Sequence, residues 1–158
     1  MDTLDLKILA SLDLDARRPY ADLARELSVS QPTIADRVRR LESRGVVRGT
    51  MLCVDYARLG FTVNAFVRLR TAQTNKNALI AVAQDIPQVI EMHAVTGEDC
   101  MIAHVVARSV DELGNILERL RVFGESSTSV VLGTPIPLRN PIPAAKDDEI
   151  PAVSEARA

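Results

Sequence analysis

Residues 28–45 read SVSQPTIADRVRRLESRG, and the fold of the first third of the chain turns on how this stretch is read. Ser30 stands before an apolar repeat and is the residue type whose side chain accepts the first free N–H groups of a helix. Pro32 is tolerated in a first helical turn, where an N–H has no partner to lose, and Gly45 is a stop signal. Together these predict a helix from Gln31 to about Arg44. On it Ile34, Val38 and Leu41 recur at spacings of four and three, so they share a core-facing side. Thr33, Arg37, Arg40 and Arg44 share a separate face.

Toward the N-terminus, Leu4, Ile8, Leu9 and Leu12 line one side of a first helix that Asp2 or Thr3 caps. It ends before or within Asp13 to Arg18, where the apolar stripe gives out. Pro19 suits a helix start, and Leu23, Ala24 and Leu27 give a short second helix. Ser28, Val29 and Ser30 then make a tight turn. Three short helices, a turn centred on Val29 and a basic last helix predict a helix-turn-helix whose final helix enters the major groove. Val46 to Thr50 is expected to form a short wing.

Formal net charge is -2, but the cation is concentrated. Arg37, Arg39, Arg40, Arg44 and Arg48 stand against the single acid Glu42, whereas residues 51–158 hold 10 basic and 13 acidic groups. An isolated run of arginines is ordinarily a solvated face. Here the cap, the turn and the apolar triad agree with it, which favours contact with double-stranded DNA. Phosphate contact is expected from Arg37, Arg40 and Arg44, beside the Ser30 cap, with base readout by Gln31, Thr33 or Arg37. Arg39 points elsewhere, and Asp36 is placed to orient an arginine.

Aromatic content of 3% without Trp argues against base-stacking RNA modules. Cys53 and Cys100 form no CxxC or Cys/His cluster, so neither zinc nor a disulfide framework is signalled. His93 and His104 lie on predicted strands opposite Met92 and Ala103 and read as structural or interface residues. No catalytic constellation, metal site or cofactor is expected. With no signal segment and no run near the ~20 apolar residues of a membrane span, the expected compartment is the cytoplasm, away from membranes.

From Thr62 the period changes to two: Val63, Ala65, Val67 and Leu69 alternate with Asn64, Phe66, Arg68 and Arg70, as on a half-buried strand. Leu79, Val82, Ala83 and Ile86 follow on a helix halted by Pro87. Strands around Val89–Val95 and Cys100–Ala107 flank Thr96-Gly97-Glu98-Asp99, a turn signal. Ser109 with Glu112 three residues on gives a capping-box pattern for a helix presenting Leu113, Ile116, Leu117 and Leu120, ending before Gly124. A last strand is expected over Ser127–Leu132. The order β-α-β-β-α-β is that of a ferredoxin-like unit with both helices on one sheet face. The other face, bearing Phe66 on strands rich in Val and Ile, needs a second copy to cover it, so a homodimer is expected.

With both halves in view the chain resembles the Lrp/AsnC family of feast/famine regulators from about Asp2 to Pro137. The resemblance is carried by Leu4-Asp5, Lys7-Ile8-Leu9, Arg17, Asp22-Leu23-Ala24, Ser30, Arg37-Val38, Arg40-Leu41-Glu42 and Gly45-Val46-Val47. In the second half it is carried by Gly60, Val95-Thr96-Gly97 and Thr128-Ser129-Val130-Val131-Leu132. It implies an α+β chain: a helix-turn-helix domain over 1–50, a linker over 51–61 and a ferredoxin-like ligand-binding and oligomerisation domain over 62–138, while the Pro-rich and then acidic sequence beyond lacks either periodicity and is expected to be a disordered tail over 139–158. It implies dimers that assemble into octamers, and an effector, an amino acid or related small molecule, held between subunits near Thr96 to Cys100. Gly97 by itself is equally a hairpin glycine or a ligand contact; the resemblance favours the ligand. Backbone N–H groups there suit a carboxylate, Glu98 or Asp99 an α-ammonium, and Thr128 and Ser129 are candidate hydroxyl partners. Many members place Asp where this chain has Cys100, which bears on effector identity. Two rival functions remain open: a siroheme-decarboxylase-like enzyme on the same scaffold, and a chromatin-organising protein without an effector.

Overall fold

Asp2 caps α1 (Thr3–Leu14): its carboxylate accepts the Asp5 N–H at 2.9 Å while the Asp5 carboxylate accepts the Asp2 N–H at 3.0 Å. This closed box follows from two short acids three residues apart, and losing such a cap costs about 0.5–2 kcal/mol. Pro19 is the N-cap of α2 (Tyr20–Glu26), and Ser30 is the N-cap of α3 (Gln31–Ser43), its hydroxyl accepting the Thr33 N–H at 3.2 Å. Ile8, Leu23, Ala24, Ile34 and Val38 form the core of the three helices, with Leu4, Leu12, Tyr20, Leu27 and Val29 packed around it. Leu41 is buried as its spacing predicts, and Leu6, outside the predicted stripe of α1, is buried too.

Two helices of this unit end in the same way. After α3, Gly45 takes a left-handed φ of 69°, its N–H bonds Glu42 O and the Val46 N–H bonds Leu41 O. After α2, the Ser28 N–H bonds Arg25 O and the Val29 N–H bonds Ala24 O, with Ser28 at φ 55°. Both closures satisfy carbonyls that a helix end leaves free. In the second a serine stands where glycine carries no steric cost.

The structure is a computed structural model describing residues 1–97 and 100–142. Its contacts divide at Leu52: one unit covers Met1–Leu52 and takes in the described residues after Pro137, the other covers Cys53–Pro137. Val46 to Thr50, expected as a wing, is a bend followed by irregular chain and pairs with no strand among the described residues. The reason is local: Gly45 and Gly49 both take positive φ, so the four residues between and beside them do not hold an extended line. Of the predicted tail, residues 143–158 lie outside the described residues, and Asn140 donates a side-chain hydrogen bond to Asp13.

The second unit follows the predicted order: β1 (Val63–Thr71), α4 (Lys76–Gln84), β2 (Val89–Ala94), β3 (Met101–Ala107), α5 (Val110–Arg121) and β4 (Gly124–Val130). A short 3-10 turn at Ala57–Leu59 precedes it, closed by Gly60. The strands lie in the order β2-β3-β1-β4, and every pairing is antiparallel. Ala65, Val67 and Leu69 of β1 turn inward with Met101, Ala103 and Val105 of β3, against Leu79, Ala83, Leu113, Ile116 and Leu120 of the two helices. The alternation read from the sequence is the alternation of burial.

Two details differ from the local signals. Gly124, expected to end a helix, is the first residue of β4, opposite Thr71; a Cβ there would lie 2.0 Å from the Arg70 carbonyl oxygen, so only glycine allows the strands to meet. Strand β4 therefore begins three residues before the predicted Ser127. At α5, Ser109 accepts the Glu112 N–H at 3.1 Å, but the Glu112 carboxylate turns to the Arg108 N–H and to Gln88 Nε2 at 2.8 Å. The box is half formed, and its second half ties α5 to the residue before β2.

Candidate nucleic-acid interface and effector site

The residues expected to meet DNA are carried by one rigid element. Ile34, Val38 and Leu41 are 0%, 4% and 1% exposed, which fixes the inner side of α3 and leaves Gln31, Arg40 and Arg44 exposed. Ser30 and Thr33 hydroxyls lie 2.7 Å apart, so the cap also orients the Thr33 side chain. Neither Arg40, Arg44, Arg48 nor Gln31 has a side-chain partner among the described residues, so their donors are available. Arg39 bonds back to Ala35 O at 3.4 Å, in keeping with its different direction. Asp36 is exposed and pairs with no arginine among the described residues.

Arg37 is different. Its Nη1 donates to Asp5 Oδ1 at 3.0 Å and to Asp2 Oδ2, so the guanidinium expected to face DNA is bound to the N-terminal turn of α1. On the helical projection it sits nearest the core edge of the basic face, which is why it reaches α1 and Arg40 does not. The hydrogen bonds it donates to Asp2 and then Asp5 raise its pKa above the usual arginine value. The Asp2 carboxyl is held below the usual carboxylate value, first by the Asp5 N–H and then by Arg37, against a desolvation that raises it. Asp5 is buried, an outcome that no apolar pattern predicts.

In the second unit the expected effector residues do not all meet. Thr96 and Gly97 lie exposed in the β2–β3 turn, Gly97 at φ 114°, while Glu98 and Asp99 lie outside the described residues. The Cys100 thiol is directed inward: it accepts the Thr71 N–H at 3.2 Å and lies 3.3 Å from Leu69 O, packed on the core. Thr128 and Ser129 are on β4, the opposite edge of the sheet, three strand spacings or about 14 Å from β2. They also face opposite sides, being adjacent on a strand. Ser129 is within reach of Arg68, whereas the Thr128 hydroxyl is buried without a hydrogen-bond partner among the described residues. One subunit therefore holds Thr96 and Gly97 in the β2–β3 turn, Cys100 against β1 and Thr128 on the β4 edge.

Sequence reasoning missed an apolar groove of about 400 Å³ between α4 and the β2 edge, with Ile80, Ala83, Val89, Ile90, Met92 and Met101 among its walls. Its signal was present in the β2 run Val89-Ile90, where a bulge between Val89 and Glu91 shifts the register. The open sheet face also differs from the apolar patch expected. Phe66 is 44% exposed and stacks on His104 at 4.6 Å; Ile102 and the buried Val106 flank it on β3, but the rest of the face is Asn64, Arg68, Glu91, His93, Ser127 and Ser129. His104 Nε2 and Asn64 Oδ1 are 2.7 Å apart, and burial pushes the imidazole below its ordinary pKa. Most of the valines serve the inner face.

Comparison with known proteins now fits this geometry. Residues 1–42 match the AsnC-type helix-turn-helix domain and residues 64–141 the Lrp/AsnC ligand binding domain. The chain is 31% identical to the regulatory protein AsnC of Haemophilus influenzae, over 90% of its own length and 94% of that protein. The structure of Escherichia coli AsnC matches with a TM-score of 0.82 at 29% identity, covering 90% of this chain and 99% of that one. The leucine response regulatory protein of Mycobacterium tuberculosis matches with a TM-score of 0.78 at 28% identity, covering 90% and 100%. Among the described residues no helix is long and apolar enough to cross a membrane. A capped helix-turn-helix with an exposed cationic face, joined to a four-stranded sheet carrying two helices, is here matched at both ends, and the chain belongs to the Lrp/AsnC family of transcription regulators.

Proposed function

We propose that this regulator binds duplex DNA sequence-specifically through α3 and that an amino acid bound to the second unit modulates this binding. The observation that carries the first part is the pair Arg40 and Arg44, exposed and without side-chain partners among the described residues, on a helix whose opposite side is buried. They contact phosphate, while Gln31 and Thr33, at the end of α3 that Ser30 caps, read base edges. Two copies of α3 are presented by a homodimer that covers the open sheet face around Phe66, and dimers join into larger rings.

The effector sits at the β2–β3 turn. Backbone N–H groups around Gly97 hold its α-carboxylate and Glu98 or Asp99 its α-ammonium. Because Thr128 and Ser129 lie on the far edge of their own sheet, they complete such a site only when contributed by a neighbouring subunit. The family model for a ligand binding domain and the relative named for its leucine response support an amino acid over other small molecules.

The test is selection from a pool of random duplexes by the full chain, with and without each of the common amino acids. An enriched sequence whose affinity one amino acid changes by about 5- to 150-fold is expected. Binding without enrichment and without amino-acid response would favour the chromatin-organising reading, and no duplex binding at low salt would sink the proposal.

A further inference from the structure

We infer that Arg37, Asp2 and Asp5 form an ion-pair clamp that sets the angle at which α3 meets DNA, with Arg37 a positioning residue that does not itself touch the duplex. The inference rests on the DNA-binding reading proposed above. The capping box of α1 uses one oxygen of each carboxylate, Oδ1 of Asp2 and Oδ2 of Asp5. The remaining oxygens, Oδ2 of Asp2 and Oδ1 of Asp5, both accept from Nη1 of Arg37, 35 and 32 residues away along the chain. One nitrogen thus closes two carboxylates that are themselves fixed by backbone.

Apolar packing through Ile34, Val38 and Leu41 resists separation of the helices but has little direction, so it tolerates small rotations of α3. Charge-assisted hydrogen bonds do have direction. Turning α3 about its axis swings Nη1 away from the first turn of α1, so the clamp fixes that rotation and with it the aim of Thr33, Arg40 and Arg44. Nor is Arg37 free to leave. The Asp5 side chain is 9% exposed, and a cation that moved to a phosphate would strand a buried carboxylate.

The sign of one substitution separates this from a simple charge effect. Asp5→Asn makes the DNA-facing unit less acidic, which by charge alone strengthens binding to a polyanion. The clamp requires the opposite for a duplex that the wild-type chain has selected from a random pool. Affinities of the full chain for that duplex and for mixed-sequence duplex are measured over a range of salt, at a temperature where circular dichroism shows each variant folded. Arg37→Gln and Asp5→Asn are expected to lower affinity for the selected duplex about tenfold, the loss of one well-aligned base contact. Mixed-sequence affinity and the slope of log affinity against log salt stay at wild-type values. Arg40→Gln, by contrast, reduces that slope by about 0.9 and weakens both duplexes.

A slope reduced by about 0.9 in Arg37→Gln, with Asp5→Asn binding as well as or better than wild type, would place Arg37 on a phosphate and overturn the clamp. Should Arg37→Gln fail to fold, Asp2→Asn at a 53% exposed side chain reads the same contrast. A wild-type chain that selects no sequence overturns the DNA-binding reading first, which is a distinct result from wild-type selection lost or kept in the variants.

Discussion

Arg37 and Arg40 are three positions apart on one helix, and their guanidinium groups end in different chemistry because one lies at the edge of the basic face nearest the core and the other at the edge farthest from it. His104 shows the same dependence on surroundings. Burial favours its neutral form and holds its pKa below the ordinary 6.5, with Glu91 acting weakly the other way. As pH falls, the unfolded chain takes up the proton first, so stability is unaffected above about pH 6.5 and declines from there toward the lower folded pKa. Urea unfolding at about pH 7.5 and about pH 5 should show wild type losing more stability than His104→Gln over that interval. Equal losses in the two chains would remove His104 as the titrating group.

At the scale of elements, the two helix ends in the first unit make a controlled comparison. Gly45 and Ser28 occupy the same place in the same hydrogen-bonded closure, at φ 69° and 55°. A residue with a Cβ in that region carries a cost of about 1–2 kcal/mol. Ser28→Gly should therefore raise stability by up to about 1 kcal/mol, part of the gain being offset by the freer unfolded chain. A lower thermal midpoint for this variant would mean that the Ser28 side chain makes a compensating contact. Gly124→Ala should act in the opposite sense, since its Cβ falls 2.0 Å from the Arg70 carbonyl oxygen and the β1–β4 ladder must part to admit it. The expected loss is at least about 2 kcal/mol in denaturant unfolding, and a near-neutral result would show that the edge strand moves freely.

At the scale of the whole molecule, the open face of the sheet has no cover among the described residues of the second unit. Phe66, 44% exposed in a largely polar surround, is its apolar centre. A charge placed there is buried by the proposed dimer and solvated by the monomer, so Phe66→Glu should shift the chain to monomer in sedimentation velocity. It should also weaken binding to the selected duplex, because a lone α3 loses the second half-site. An unchanged sedimentation coefficient would move the dimer contact off this face.

Helix existence, caps and the succession of strands and helices along the chain were legible because each is written within a few residues. Ser30 before an apolar triad, Gly45 after it, and the change of period at Thr62 are instructions that neighbouring backbone groups carry out alone. The inward side of β1 was legible for the same reason, as alternation is a property of the strand and not of its partners. Tertiary structure decided what depends on groups brought from afar. It gave Arg37 to two carboxylates more than thirty residues away, buried Asp5 against that cation, and put Gly124 against a carbonyl of another strand. It also parted Thr128 and Ser129 from the β2–β3 turn, since residues far apart in sequence share a site only where strand order allows it. Local propensity acts through bonds a turn or two long, whereas charge pairing and close approach act through space, and only the folded chain fixes which side chains share that space.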